Sequence, residues 1–256
     1  MSHFVRLHIE PHSHFHLFFF LSTFVNARYH IGRVPINSEN VHYFVEAMKF
    51  GFGDRMTLGD PIFVPNVTTK IVPTMLDKTH SAMLRAKISK SETFPPEYYK
   101  DLSEQVSVVP EDHGTSHLSV VDSQRNVIAF TTTVNGVFGS FIVSPSTGIL
   151  FNDEMDDFSN PSSSNIWNFP PSVPNYIQPG KRPLSSMSPT ICLKDGKPFL
   201  ALGASGGSRI LSAVIQVIVN VLEYGMNVMD AVVQPRFHDQ LIPPLLQFEP
   251  CLPFAF

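Results

Sequence analysis

The chain has 256 residues, 43% of them hydrophobic and only 16% charged, which suits one large globular domain or two small ones. Its net charge of −4, with no basic stripe and no zinc-ligand spacing, gives no case for nucleic-acid binding or a metal site. Two cysteines, Cys192 and Cys251, are too few and too far apart for a disulfide framework.

The first 36 residues differ in composition from the rest, because they hold six histidines and the apolar block Phe15–Val25. A short apolar core between Arg6 and Ala27 is compatible with a signal peptide. The histidines could instead form a metal-binding tract, although their spacing is irregular and carboxylates are lacking. A third interpretation is atypical sequence fused to a truncated domain.

Two helices are predicted in the first half of the chain. Apolar residues recur at three- and four-residue spacing from Asn40 to Phe52, and the segment 58–61 (Leu-Gly-Asp-Pro) should end that helix. A second amphipathic pattern covers Thr74–Ile88. Residues 89–113 are polar and rich in proline, so we expect an exposed linker that suits a cleavage site.

The linker leads into a segment that predicts a strand from Thr115. Leu118 and Val120 point to one face and their neighbours to the other, which is typical of a half-buried strand. A second strand, Val127–Val134, follows a short turn. We expect the two to form a central antiparallel hairpin.

The second half of the chain begins with a loop rich in Pro, Ser and Asn, from Asn160 to Pro189. A hairpin is expected next, with strands Pro189–Leu193 and Phe199–Leu202. An almost wholly apolar helix from Arg209 to about Tyr224 should be deeply covered and pack on the sheet. A shorter helix is expected over Val228–Val233.

Thr115 follows a glycine at the start of a strand, which is a suitable place for a nucleophilic hydroxyl. Cleavage of the Gly114–Thr115 bond would give Thr115 a free α-amino group, with a reference pKa of about 7.7–8.0. That amine can act as the general base for its own hydroxyl. An isolated Gly-Thr pair is more often an ordinary start of a strand, since threonine is β-branched.

Four motifs, in order along the chain, resemble γ-glutamyltransferases (glutathione hydrolases), most closely those of plants. They are Gly114–Val121, Gly148–Phe158, Pro183–Thr190 and Gly203–Gly207. The resemblance implies an α+β fold, the αββα sandwich of N-terminal-nucleophile hydrolases, here partial, in a precursor that cleaves itself before the threonine. It divides the chain into an atypical N-terminal segment (1–40), a helical end of the large subunit (41–114), the small-subunit catalytic region (115–249) and an atypical tail (250–256).

The resemblance also implies a set of site residues that should converge on one pocket. Catalytic roles fall to Thr115 as nucleophile, Thr133 as its orienting partner, and Gly206 and Gly207 as donors to the oxyanion. The γ-glutamyl group is expected to contact Thr133, Asn135, Glu154, Asp157, Ser185, Ser186 and Gly207. No metal or organic cofactor is implied.

Taken alone, these residues have plainer interpretations. Glu154 and Asp157 could be a solvated acidic cluster, and Ser185 and Ser186 ordinary loop serines. A nucleotide phosphate loop at residues 203–208 is disfavoured, because neither the lysine of a P-loop nor the GxGxxG spacing is present.

The resemblance implies ping-pong transfer of the γ-glutamyl group of glutathione, through a threonine ester, to water or to an amino acid or peptide. After self-cleavage the two subunits would remain associated. The alternative is an inactive family remnant, or a partner of an intact paralogue, because the family's long N-terminal stretch and its carboxylate-binding Arg find no match here. A secretory location (apoplast, membrane-associated or vacuolar) is expected from the glycosylation triplet at Asn66.

Overall fold

The computed structural model describes residues 37–100, 114–160 and 171–250, together with the main chain of residues 5–8. The predicted signal-peptide block Phe15–Val25, the residues just before Gly114, Cys251 and the tail lie outside the described residues. Within the described ranges, no helix is both long and apolar enough to cross a membrane.

The described chain alternates helical and extended segments. Its helices are α1 (Ser38–Arg55), a π-helical turn (Val67–Ile71), α2 (Val72–Leu76), α3 (Lys78–Lys87), α4 (Pro96–Tyr99), 3-10 turns at Glu154–Asp157 and Val173–Asn175, α5 (Arg209–Leu222) and α6 (Val228–Val233). Its strands are β1 (Val5–His8), β2 (Thr115–Val121), β3 (Val127–Thr133), β4 (Thr190–Lys194), β5 (Lys197–Leu202), β6 (Phe237–His238) and β7 (Gln247–Phe248).

Helices α1 and α5 supply most of the hydrophobic core, as their apolar periodicity predicts. Helix α1 begins at Asn37, whose side chain accepts a hydrogen bond from the Asn40 amide at 2.9 Å. In α5, ten of the fourteen residues are buried. Cys192 of β4 lies in the same core and is fully buried, so the predicted packing of α5 on the sheet is confirmed.

All the strand pairs that the structure describes are antiparallel. Strand β4 is central in the order β1-β4-β5, which gives the N-terminal segment a strand in the sheet. Strands β2 and β3 form the predicted hairpin, in a register that sets Thr115 opposite Thr133. Strands β6 and β7 make a third, two-stranded pair.

The central position expected for the β2–β3 hairpin is not found among the described residues. Leu118 and Val120 do share one face, where they pair with Phe130 and Ile128, but all four side chains are 49–58% exposed. The opposite face, which carries Thr115 and His117, is the one that packs against the end of β5. Among the described residues the hairpin therefore forms an edge of the molecule and not its centre.

One expectation in the first half of the chain is wrong and another holds in part. The helix predicted over Thr74–Ile88 is broken at Asp77, whose carboxylate accepts from the Thr79 amide at 2.7 Å and starts α3. Of the linker predicted over 89–113, the structure describes residues 89–100, in which only Tyr99 is buried. Tyr99 is buried against Phe50, because its hydroxyl finds a hydrogen-bond partner in the buried Glu46.

Candidate active site

Thr133 is the centre of the hydrogen bonds around the Gly114–Thr115 bond. Its hydroxyl oxygen lies 2.9 Å from the Thr115 hydroxyl, which donates to it, and 2.8 Å from the Asn135 amide nitrogen. The Thr133 hydroxyl in turn donates to the Gly114 carbonyl at 3.4 Å. The Val134 amide donates to the same carbonyl oxygen at 3.1 Å. Two donors therefore converge on the oxygen that would become negative if Thr115 attacked this carbonyl.

Gly114 is required where it stands because the backbone just after β3 passes very close. A Cβ atom at this position would lie 2.0 Å from the Gly136 carbonyl oxygen and 2.3 Å from that of Asn135. Asn135 itself has a φ of +69°, a left-handed conformation that asparagine tolerates better than most residues. The tight approach holds the Gly114 carbonyl against the donors at the end of β3.

The loop that carries Glu154 and Asp157 is attached directly to the end of β3. Asp153 accepts from the Gly136 amide at 2.9 Å, and its own amide donates to the Val134 carbonyl at 3.2 Å. The Asn135 side-chain amide donates to the Asp153 carbonyl at 3.3 Å. The acidic loop is therefore held next to the end of β3, where Thr133 lies.

Arg55, at the C-terminal end of α1, lies between this acidic loop and the loop before β4 that carries Ser185 and Ser186, called the serine loop below. It is 5% exposed, and its guanidinium donates to the Ser186 hydroxyl at 2.9 Å and to the Leu184 carbonyl at 3.5 Å. Burial lowers the pKa of Arg55 to about 10, and electrostatic attraction to Asp157 opposes that shift. Arg55 is thus still a cation near pH 7, close to a buried carboxylate.

Two further contacts hold the serine loop. The Asp60 carboxylate accepts from the Arg182 guanidinium at 2.9 and 3.0 Å and from the Arg182 main-chain amide at 3.0 Å. These bonds to Arg182 keep the pKa of Asp60 well below its ordinary value. The buried Asn175 donates to the Asp157 carbonyl at 2.8 Å and accepts from the Leu184 amide at 3.0 Å.

Gly206 and Gly207 lie in the turn between β5 and α5, with φ values of +120° and +54°. Their connection to Thr115 is indirect. A Cβ at Gly203, where the turn begins, would lie 2.2 Å from the His117 ring of β2, so the turn packs against the hairpin. Burial lowers the pKa of His117.

Hydrogen bonds thus link Thr115, Thr133 and Asn135 to the acidic loop, and Arg55 lies between Asp157 of that loop and Ser186. The convergence of the whole predicted set on one pocket, and the roles assigned to its members, stay predictions. Arg55, Asp153 and Val134 were missed by sequence reasoning. An arginine in the last turn of a helix is usually explained by the helix dipole, and a main-chain amide has no sequence signal. Among the described residues, no group of three or more His, Cys, Asp or Glu side chains could hold a metal ion.

Comparison with solved structures identifies the class of fold. The structure matches a cephalosporin acylase from Bacillus halodurans with a TM-score of 0.71 over 97% of this chain and 41% of the other, at 21% identity. That likeness shows the fold, which is the α+β fold of N-terminal-nucleophile hydrolases, represented here in part.

Sequence comparison then gives the family. The family profile described as Gamma-glutamyltranspeptidase matches residues 8–255. The chain is 50% identical over 211 residues to Glutathione hydrolase 2 of Arabidopsis thaliana, covering 82% of this chain and 36% of that protein. It is 47% identical over 196 residues to Putative inactive glutathione hydrolase 4 of the same plant, covering 76% of this chain and 100% of that protein. This chain belongs to the gamma-glutamyltranspeptidase family.

The family match extends into both segments that the motifs alone leave outside it, the residues before Val41 and those after Glu249. The chain spans about a third of the length of Glutathione hydrolase 2 and the whole of the shorter relative.

Proposed function

We propose that this chain is a γ-glutamyltransferase and glutathione hydrolase that cleaves itself before Thr115. The observation that carries the proposal is the pair of hydroxyls at the start of the hairpin. The Thr115 hydroxyl donates to Thr133, and the Gly114 carbonyl accepts from Thr133 and Val134. The nucleophile, the hydroxyl that orients it and the donors to the oxyanion therefore lie around one peptide bond.

Self-cleavage begins with attack of the Thr115 oxygen on the Gly114 carbonyl carbon. The C–N bond breaks, the threonine nitrogen takes the proton and an ester forms between Gly114 and the Thr115 side chain. Water then hydrolyses the ester, which leaves a carboxylate on Gly114 and a free α-amino group on Thr115. The donors on the Gly114 oxygen stabilise the negative charge of the tetrahedral intermediate.

In the proposed turnover, the same hydroxyl attacks the γ-carbonyl of a γ-glutamyl donor, and the free amine accepts its proton. Glutathione would release cysteinylglycine and leave a γ-glutamyl ester on Thr115. Water, an amino acid or a peptide would resolve that ester. Glu154 and Asp157 suit the donor's ammonium, whereas Ser185 and Ser186 suit its carboxylate.

We further infer that the two cleavage products stay together. Residues on both sides of the cleavage point share one core, in which Phe44 of α1 meets Phe237 of β6 at a ring-centroid distance of 5.3 Å. The ion pair between Asp60 and Arg182 also joins the two parts.

The proposal is tested by mass spectrometry of the expressed protein together with release of p-nitroaniline from γ-glutamyl-p-nitroanilide. We expect a fragment that begins at Thr115 and measurable turnover. Thr115→Ala should stop cleavage and lower turnover by about 10⁴–10⁶-fold, as loss of a covalent nucleophile does. Ser116→Ala, at the exposed neighbouring position, is the matched control and should behave like the wild type.

A second candidate is a non-catalytic member of the family. It is supported by the match to the full length of a relative whose name describes it as putatively inactive. A well-folded chain that stays intact and releases no p-nitroaniline would support this candidate and contradict the first.

A further inference from the structure

Arg55 lies between the two loops that are expected to bind the α-ammonium and the α-carboxylate of a γ-glutamyl group. Its guanidinium donates to Ser186 in one loop and attracts the buried Asp157 in the other. It approaches both from α1, an element far from them in sequence. None of the motifs that identify the family includes it.

The direction of the hydrogen bond to Ser186 has a chemical consequence. Arginine has only donors, so the Ser186 oxygen must act as acceptor toward Arg55. The Ser186 proton then points elsewhere and can be donated to an anionic oxygen. A bond from a cation also polarises the hydroxyl and makes it a better donor.

The charge of Arg55 acts on the other loop. Asp157 is 8% exposed, and the guanidinium of Arg55 attracts its carboxylate. A carboxylate held in this place can bind the ammonium group of a γ-glutamyl compound. The buried Arg55 guanidinium therefore orients Ser186 as a donor to a carboxylate and attracts Asp157, which can accept from an ammonium.

We propose that Arg55 is a positioning residue for the γ-glutamyl group, which sets the Ser186 hydroxyl and the Asp157 carboxylate at the spacing of an α-carboxylate and an α-ammonium. This inference rests on the proposed γ-glutamyl specificity of the site. Because Arg55 acts through its neighbours, its loss affects affinity for the glutamyl group and not the Thr115–Thr133 hydrogen bond.

The test is a double-mutant cycle on L-glutamate binding, measured by calorimetry on the full chain. Arg55→Lys, which keeps the charge but loses the planar fork, and Ser186→Ala should each weaken binding about tenfold, which corresponds to one hydrogen bond to a charged group. The double variant should be no weaker than Ser186→Ala alone, because both changes remove one interaction. Additive losses, or unchanged affinity in a folded Arg55→Lys protein, would overturn the inference.

Asp60→Asn is the matched control, since it weakens another attachment of the same loop, the one at Arg182, without touching Ser186. At an equal loss of thermal stability it should weaken glutamate binding much less than Arg55→Lys; equal losses of affinity would mean that Arg55 is merely structural. If Arg55→Lys does not fold, Arg55→Met combined with Asp157→Asn removes both buried charges together. That pair should bind glutamate about tenfold more weakly than Asp157→Asn alone, and equal affinity would contradict the inference.

These measurements distinguish failure of the proposed activity from failure of the proposed role of Arg55. A wild-type chain that binds L-glutamate but releases no p-nitroaniline contradicts the proposed activity. That result does not contradict the proposed role of Arg55 in binding. A wild-type chain that binds no L-glutamate at millimolar concentration overturns the positioning role, whatever its turnover.

Discussion

The Thr133 hydroxyl serves two partners that would be needed at different moments of self-cleavage. Its oxygen accepts from the Thr115 hydroxyl, so it orients the nucleophile, and its proton reaches the Gly114 carbonyl. The Asn135 amide fixes the Thr133 oxygen from the other side. A single β-branched residue, with few rotamers, is well suited to such a fixed arrangement.

His238 is buried next to the turn of Gly206 and Gly207, and it bonds to Ser212 at 2.8 Å and to Gln240 at 3.1 Å. Burial lowers its pKa to about 4, and the nearby Arg209 adds to the shift. Between pH 6.5 and about 4 the unfolded chain therefore binds a proton that the folded chain does not. Stability is fully present above pH 6.5 and falls as the pH drops, by at most about 3 kcal/mol.

We expect urea unfolding to show this loss of stability between pH 7 and pH 5. His238→Gln should be less stable at pH 7 but should lose part of the pH dependence. His42→Gln, at a partly exposed ring that bonds to the Ser89 carbonyl, should keep it. An unchanged slope in His238→Gln would rule out His238 as its source.

Elements with a regular apolar periodicity of their own could be predicted from the sequence. Helices α1 and α5 and both long hairpins lie within a few residues of their predicted bounds. The break at Asp77 was missed, because the amphipathic pattern continues through a residue that caps the next helix. Tyr99 was placed in a linker, because its burial depends on Glu46, more than fifty residues away.

In the site too, local features could be predicted and contacts between distant residues could not. Residues that belong to short motifs could be recognised, since each motif is local. Arg55 could not, because its importance comes from contacts with Ser186 and Asp157 that only the folded chain creates.

The β2–β3 hairpin exposes four apolar side chains on one face, Leu118 and Val120 opposite Phe130 and Ile128. A contiguous apolar patch of this kind favours association with another surface. Replacing Ile128 and Phe130 by threonine puts β-branched residues, which suit a strand, in their place and removes half of the patch. We expect the double variant to bind less of an apolar dye and to sediment as a smaller species, with little change in melting temperature.

Thr132→Ala, an exposed change on the same face, serves as the control for this hairpin. It should sediment like the wild type. Equal dye binding and equal sedimentation of the wild type and the double variant would show that the patch does not drive association.

At the scale of the whole molecule, the parts on either side of Thr115 depend on each other. Helix α1 supplies core residues to the second part, and its Arg55 and the following Asp60 hold the serine loop of that part. Because a cut after Gly114 breaks none of these contacts, we expect the two parts to keep their fold after the proposed self-cleavage.

We propose a secretory location for the whole molecule, on the basis of its glycosylation triplet. The sequence contains one Asn-X-Ser/Thr triplet without proline at X, at Asn66, and the Asn66 side chain is exposed at the start of the π-helical turn. Because this side chain points to solvent, a glycan can be attached without displacing the core. Expression in plant cells with the native N-terminus should yield a protein whose mass falls by one N-glycan after glycosidase treatment. Asn66→Gln should remove that shift while γ-glutamyl-p-nitroanilide turnover is unchanged, and a wild-type protein without any glycan would contradict the secretory proposal.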